Sequence, residues 1–146
     1  MFNTSEKKER SLGTKLFLKP HRCSSPKCAT MRNPAPPGQH GMARRRAKSE
    51  VGEQINEKQK FKTSYGIREA AMRKVFQIAA KSAGVTSNTI VMLLERRLDN
   101  VVYRLGFAPS RSVARQLVGH GHIHVNGRKV TISSFSVRPN DLISIR

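Results

Sequence analysis

Leu94 to Val125 reads LERRLDNVVYRLGFAPSRSVARQLVGHGHIHV and runs directly into Asn126-Gly127. The spacing predicts a helix, a short turn, a second basic helix and a hairpin. Leu94, Leu98, Val101, Val102 and Leu105 fall on one stripe at helical spacing. The other face carries Arg97, Asn100 and Arg104. Ala108-Pro109-Ser110 separates the two helices, because proline cannot continue a helix and serine caps the next one. Val113, Ala114, Leu117 and Val118 pack the second helix down. Arg111 and Arg115 then stand side by side, facing outward. Two adjacent helices that bury one face and show arginines on the other suit a phosphate backbone.

Beyond this stretch the period changes to two. Ile123 and Val125 alternate with His122 and His124, and Asn126-Gly127 is the strongest short hairpin signal, since both turn positions need positive φ. Lys129-Val130 returns, Arg138-Pro139-Asn140-Asp141 forms another turn, and Leu142 to Ile145 is the last strand. Upstream, Met1 to Thr14 reads as polar and unstructured until bound. Arg22 to Gly41 reads as loop, broken by Pro26, Asn33-Pro34 and Pro36-Pro37-Gly38. Ser49 caps a helix reaching about Ser64, with Glu50 and Glu53 suiting its positive end. A better helix follows over 67–82, with Ile67, Ala71, Val75 and Ile78 as its stripe, broadened by Met72 and Phe76. The fold class is α+β. By pattern the chain divides into a basic loop-rich extension (1–48), a helical domain (49–94) and a module of two packed helices with a small antiparallel sheet (95–146).

Charge bounds the function. Lys plus Arg total 28 against 9 Asp plus Glu among 146 residues, a formal net charge of +19. Within Met1 to Lys48, 12 Lys/Arg oppose 2 Asp/Glu, so +10 of the +19 sits in that segment. A chain so self-repelling calls for a polyanionic partner. A membrane is the rival surface, but no apolar run is long enough to span one, and no small-molecule site is evident. Met1 to Arg10 lacks the apolar core of a signal peptide, and two cysteines make no disulfide framework, so the reading is a reducing compartment. Trp is absent and Tyr65 and Tyr103 are the two tyrosines, which disfavours base stacking as the binding mode.

The sequence LFLKPHRCSSPKC, then PPGQHG, an arginine cluster, SEVGEQINEKQKFKTSYG, LERRLDNVVYRLGFAPSR and ARQLVGHGHIHVNGRKV resembles, in order and spacing, the bacterial-type small ribosomal subunit protein S-four family. The likeness covers about Lys15 to Arg146. The helix pair with its hairpin resembles the small RNA-binding module named after that protein, which also occurs in RNA-modifying enzymes. The resemblance implies a structural ribosomal protein, not an enzyme, located in a cytoplasmic or organellar ribosome. It implies primary binding to small-subunit ribosomal RNA at a helical junction of the 5′ domain, contact with neighbouring small-subunit proteins, and a place on the path by which messenger RNA enters. Carried over by position, Arg97, Asn100, Arg104, Ser110, Arg111, Arg115, Gln116 and Asn126 face ribosomal RNA. The cluster Arg44, Arg45, Arg46 and Lys48 follows the QHG motif, where the family has basic residues that handle messenger RNA, and Gln39 and His40 of that motif are assigned to RNA as well. Lys58, Lys62, His120 and Arg128 complete the basic and polar surface assigned to RNA. A free-standing RNA-binding regulator and the RNA-binding appendage of an enzyme are the alternatives.

Cys23 and Cys28 match the second cysteine pair of family members that bind zinc, whereas the segment before Leu16 supplies no first pair. Two thiolates do not complete a tetrahedral site, and His21 and His40 are weak additional candidates. The expectation is two free thiols and no cofactor. His122 and His124 share a strand face and read as a polar surface rather than a metal site. No P-loop, nucleophile elbow or complete metal set is present, and Asp99 reads as an ion-pair partner of the surrounding arginines. Relative to the family, both ends read as shortened, so the helical part is expected to lean on RNA for order.

Overall fold

The computed structural model describes residues 4–43 and 47–146, which divide into two compact units, 1–64 and 65–146. The break between them falls inside the segment read from the sequence as a helical domain.

The first unit opens with α1 (Thr4–Leu12), where an unstructured segment was expected. Long-range contacts hold this helix. The carboxylate of Glu9 is 2% exposed and accepts from the amides of Leu16 and Leu18 at 3.2 and 3.0 Å. Arg10 Nε donates to the Ala35 carbonyl at 2.8 Å. Buried polar groups paired in this way specify one arrangement of a charged helix that local composition does not. Two single-turn helices, α2 (Pro20–Cys23) and α3 (Ala29–Arg32), interrupt the predicted loop. Pro20 stands in the first turn of α2, where its missing N–H costs nothing. Gly41 closes the PPGQHG turn: its amide donates to the Gly38 carbonyl at 3.1 Å, and a Cβ there would collide with the Pro36 carbonyl. The α4 helix (Glu50–Tyr65) starts as read, with Ser49 Oγ accepting from the Gly52 amide at 3.2 Å. It buries no residue, in keeping with its thin apolar content.

The second unit holds α5 (Glu69–Lys81), α6 (Thr86–Glu95), α7 (Leu98–Arg104), α8 (Arg111–His120) and strands β1 (Ile123–Val125), β2 (Arg128–Lys129) and β3 (Ile143–Ile145). Helix α5 keeps much of the predicted stripe, with Met72 buried and Ala71 and Val75 half-buried, but shifts it toward Ala79 and away from Phe76 and Ile78. Ala79 is buried, while Phe76 and Ile78 are exposed. The helix begins at Glu69 rather than Ile67, and its packing against α6 selects the Met72–Ala79 face.

The predicted continuous helix through Leu94 and Leu105 is broken at Arg96-Arg97. Arg97 is extended (ψ 136°), and a returning segment crosses there. The amides of Leu98 and Asp99 donate to the carbonyls of Phe135 and Ser133, at 2.9 and 3.2 Å, and Val137 N donates to the Arg96 carbonyl at 2.8 Å. The free amides at the start of α7 thus find acceptors 34–37 residues away in sequence, an arrangement no local pattern announces. Leu105, placed on the apolar stripe by spacing, lies exposed beyond the end of α7.

The rest of the module follows its pattern. Ser110 caps α8 through the Val113 amide (3.4 Å), and Gly121 ends the helix in the left-handed conformation (φ 77°). The sheet is antiparallel in the order β2-β1-β3, with His124 opposite Lys129 and Ser144. Asn126 and Gly127 both have positive φ, 51° and 75°. Ile123 and Val125 point into a core of Leu98, Val102, Ala108, Ala114, Val118 and Val137. Truncating a fully buried member such as Leu98 to alanine costs about 2–5 kcal/mol.

Candidate nucleic-acid interface

Helices α7 and α8 bring the predicted arginines together around two carboxylates. Asp99 is 2% exposed. Arg97 donates to it through Nε (3.1 Å) and Nη2 (2.9 Å). Arg115 donates to it through Nε (2.9 Å) and Nη2 (2.6 Å). The Arg115 guanidinium also reaches the Gly66 carbonyl at 2.6 Å and the Tyr65 carbonyl at 3.1 Å. Glu95 forms the second centre. It accepts from Arg104 at 3.0 and 3.2 Å, from the Tyr65 hydroxyl at 2.7 Å and from Asn100 Nδ2 at 2.8 Å.

This geometry corrects the outward-facing pair. Arg115 does not stand beside Arg111 in solvent: it turns onto Asp99 because a buried carboxylate requires charged donors. Arg111 is half-buried, with Nε donating to Asn100 Oδ1 at 2.8 Å and Cζ 5.0 and 4.7 Å from the ring centres of Tyr65 and Tyr103. Asn100, read as part of the exposed face, is 2% exposed and serves as the joint between Glu95 and Arg111. Ser110 is buried as the α8 cap.

The electrostatics follow from these contacts. Burial pushes the Glu95 carboxyl up, but hydrogen bonds from Arg104, Tyr65 and Asn100 outweigh it and hold the group down at about 2. Burial, then the hydrogen bond to Glu95, pushes the Tyr65 phenol up to about 12. The hydrogen bond to Glu95 raises Arg104 further. The centre is therefore fixed in one charge state across the physiological range.

The remaining predicted residues lie as follows. Gln116 and His120 are exposed on α8, with the His120 and His122 ring centres 6.2 Å apart. Arg128 is exposed at the hairpin. The Asn126 side chain ties the hairpin to its neighbour: Nδ2 donates to Asp141 at 2.9 Å and Oδ1 accepts from the Leu142 amide at 2.9 Å. In the first unit Gln39, His40, Lys48 and Lys58 are exposed and Lys62 is half-buried. Arg44, Arg45 and Arg46 lie outside the described residues. Sequence reasoning missed Glu95, Tyr65 and Tyr103 as organisers. Tyr65 lies 30 residues from Glu95, and Tyr65-Gly66 read simply as a helix end.

Cys23 and Cys28 are free and buried. Burial raises the Cys23 thiol, while a hydrogen bond with Thr30 Oγ1 (3.0 Å) lowers Cys28. Among the described residues no three His, Cys, Asp or Glu side chains converge, so these thiols supply two of the four donors a closed zinc site takes. Among the described residues no helix is long and apolar enough to cross a membrane.

A strongly basic α+β chain with a carboxylate-ordered arginine cluster beside a helix cap and hairpin has the make-up of a polyanion-binding protein. Comparison with known families gives the particular one. The family model described as ribosomal protein S4/S9 N-terminal domain matches residues 3–95, and the S4 domain matches residues 96–143. The chain is similar to proteins named small ribosomal subunit protein uS4. The one from Thermus thermophilus is 56% identical over 136 residues, covering 93% of this chain and 65% of that protein. Those from Syntrophomonas wolfei and Gloeobacter violaceus are 53% and 54% identical, with 94% and 93% of this chain and 66% of each relative covered. The chain belongs to the ribosomal protein S4 family. It spans just under two thirds of the length of these relatives.

Proposed function

We propose that this chain is a structural, non-catalytic component of the small ribosomal subunit and binds small-subunit ribosomal RNA. The observation that carries the reading is the ordered arginine cluster of α7 and α8 within a chain of net charge +19. The names of its relatives support the same reading. The first layer of binding is electrostatic. If about six phosphates are neutralised, affinity falls roughly a thousandfold between about 50 and 200 mM salt, taking the duplex-DNA slope as a guide. The second layer is shape. A-form major grooves are too narrow to read, so a folded helical junction of the 5′ domain is recognised by backbone geometry. Messenger RNA passes along the basic stretch 44–48, and neighbouring small-subunit proteins share the assembled site. No zinc or other cofactor takes part. The protein works in the ribosome, cytoplasmic or organellar. Co-sedimentation with small subunits in high salt tests the proposal: a chain that stays with the subunit belongs to it, and one that washes off with bulk RNA does not.

A further inference from the structure

Four arginines meet between α7 and α8, but only three of them pair with a carboxylate. Arg97 and Arg115 share Asp99, and Arg104 pairs with Glu95. Among the described residues Arg111 pairs with no carboxylate, and no protein group occupies the donors of its two terminal nitrogens. Its Nε donates to the neutral Oδ1 of Asn100, and the Tyr65 and Tyr103 rings lie against the guanidinium. We infer that Arg111 is the anion anchor of this surface: a backbone phosphate of RNA docks on its terminal nitrogens, and Tyr65, Tyr103 and Asn100 are positioning residues. This rests on the RNA-binding reading above.

The physical argument concerns what each holder leaves free. An aromatic face attracts a cation through its quadrupole, so it restrains a guanidinium without cancelling its charge or consuming its N–H donors. A carboxylate would do both. The single bond to Asn100 fixes the guanidinium at Nε and leaves the outer fork, the edge that matches a phosphate, available. Asn100 itself has one orientation that works. Its Nδ2 donates to the carbonyl and the carboxylate of Glu95, so its Oδ1 must face Arg111. Tyr65 is tied to the same carboxylate through its hydroxyl. Glu95 therefore orients two of the three holders, and a fork ordered before binding loses less freedom when phosphate arrives.

The test is a double-mutant cycle in the full chain, read as affinity for small-subunit ribosomal RNA across a salt series with scrambled RNA as competitor. Arg111→Gln weakens binding about tenfold and lowers the salt slope by about one, the signature of one lost phosphate contact. Tyr103→Leu weakens binding roughly two- to fivefold, a cation–π contribution converted to affinity, and leaves the slope unchanged. Tyr103→Phe, which keeps the ring, restores wild-type affinity. In the Arg111→Gln background Tyr103→Leu adds nothing. An additive penalty there means Tyr103 acts through folding, and overturns the inference while sparing the RNA-binding reading. Wild-type binding abolished by the competitor overturns that reading instead. Titration with inorganic phosphate, followed on the arginine side-chain NMR signals, then decides the anchor separately. The inference requires Arg111 to shift first and its shift to shrink in Tyr103→Leu; an Arg111 signal that lags the other arginines contradicts it.

Discussion

Arg115 and Asp99, 16 residues apart, are joined by two short bonds, Nε and Nη2 both donating to one carboxylate oxygen at 2.9 and 2.6 Å. This pair assigns different work to two arginines that look equivalent on α8. Arg115 holds α7, α8 and the Tyr65-Gly66 turn together, whereas Arg111 keeps its fork for a ligand.

The two substitutions therefore separate stability from binding. Arg115→Ala leaves Asp99 with Arg97 as its remaining charged donor and is expected to destabilise the chain by about 2–3 kcal/mol, the range for hydrogen bonds to a buried charge. Arg111→Gln, whose amide can still donate to Asn100 Oδ1, is expected to cost less, about 1 kcal/mol. Urea denaturation followed by circular dichroism measures both. Equal losses would show that the two residues share one structural role.

Glu95 makes stability depend on pH in a defined window. Its folded value, about 2, lies below its ordinary value of 4.5, so the stabilising contribution is complete above 4.5 and is lost as pH falls toward 2. Glu95→Gln is expected to flatten the fall in melting temperature across that window. Tyr65 has the opposite sign. Raised to about 12 from 10, it contributes fully below pH 10 and loses that contribution as pH rises through 12. In a Tyr103→Phe background the one remaining phenol titrates by ultraviolet absorbance, and adding Glu95→Gln is expected to lower its midpoint.

How much of this was legible in the residues depended on distance along the chain. Ser110 as a cap, Asn126-Gly127 as a tight turn and Ala114 with Val118 as an inward stripe are local signals, and each appears as read. The break at Arg96-Arg97 was not legible, because its cause is the 133–137 segment supplying acceptors from far downstream. Helix α1 was missed for the same reason: Glu9 is held by the backbone of residues beyond the helix. At the site, residue types were read correctly as basic, but their division into structural and available arginines depends on Glu95 and Asp99. Spacing showed Asp99 among arginines without showing which ones it would take.

Asn126 links two elements rather than facing outward alone. Asn126→Ala removes its bonds to Asp141 and to the Leu142 amide, and is expected to cost about 1–2 kcal/mol and to loosen β3. Hydrogen exchange should show Leu142 and Ile145 opening sooner in the variant, while the amides of α8 keep their protection.

The two thiols should differ in reactivity. With Cys28 lowered and Cys23 raised, slow alkylation near neutral pH is expected to label Cys28 first, both sites reacting quickly once the chain unfolds. Elemental analysis of the purified chain is expected to find no stoichiometric zinc. One zinc per chain, released on alkylation of Cys28, would contradict this expectation.

The measurement that bears most directly on the central claim is chemical footprinting of small-subunit ribosomal RNA, with and without this chain, at near-physiological salt and with scrambled RNA as competitor. Protection confined to one helical junction of the 5′ domain, and reached in Arg111→Gln only at about tenfold higher protein concentration, is the predicted result. Diffuse protection that the competitor removes would contradict it, leaving charge attraction without recognition.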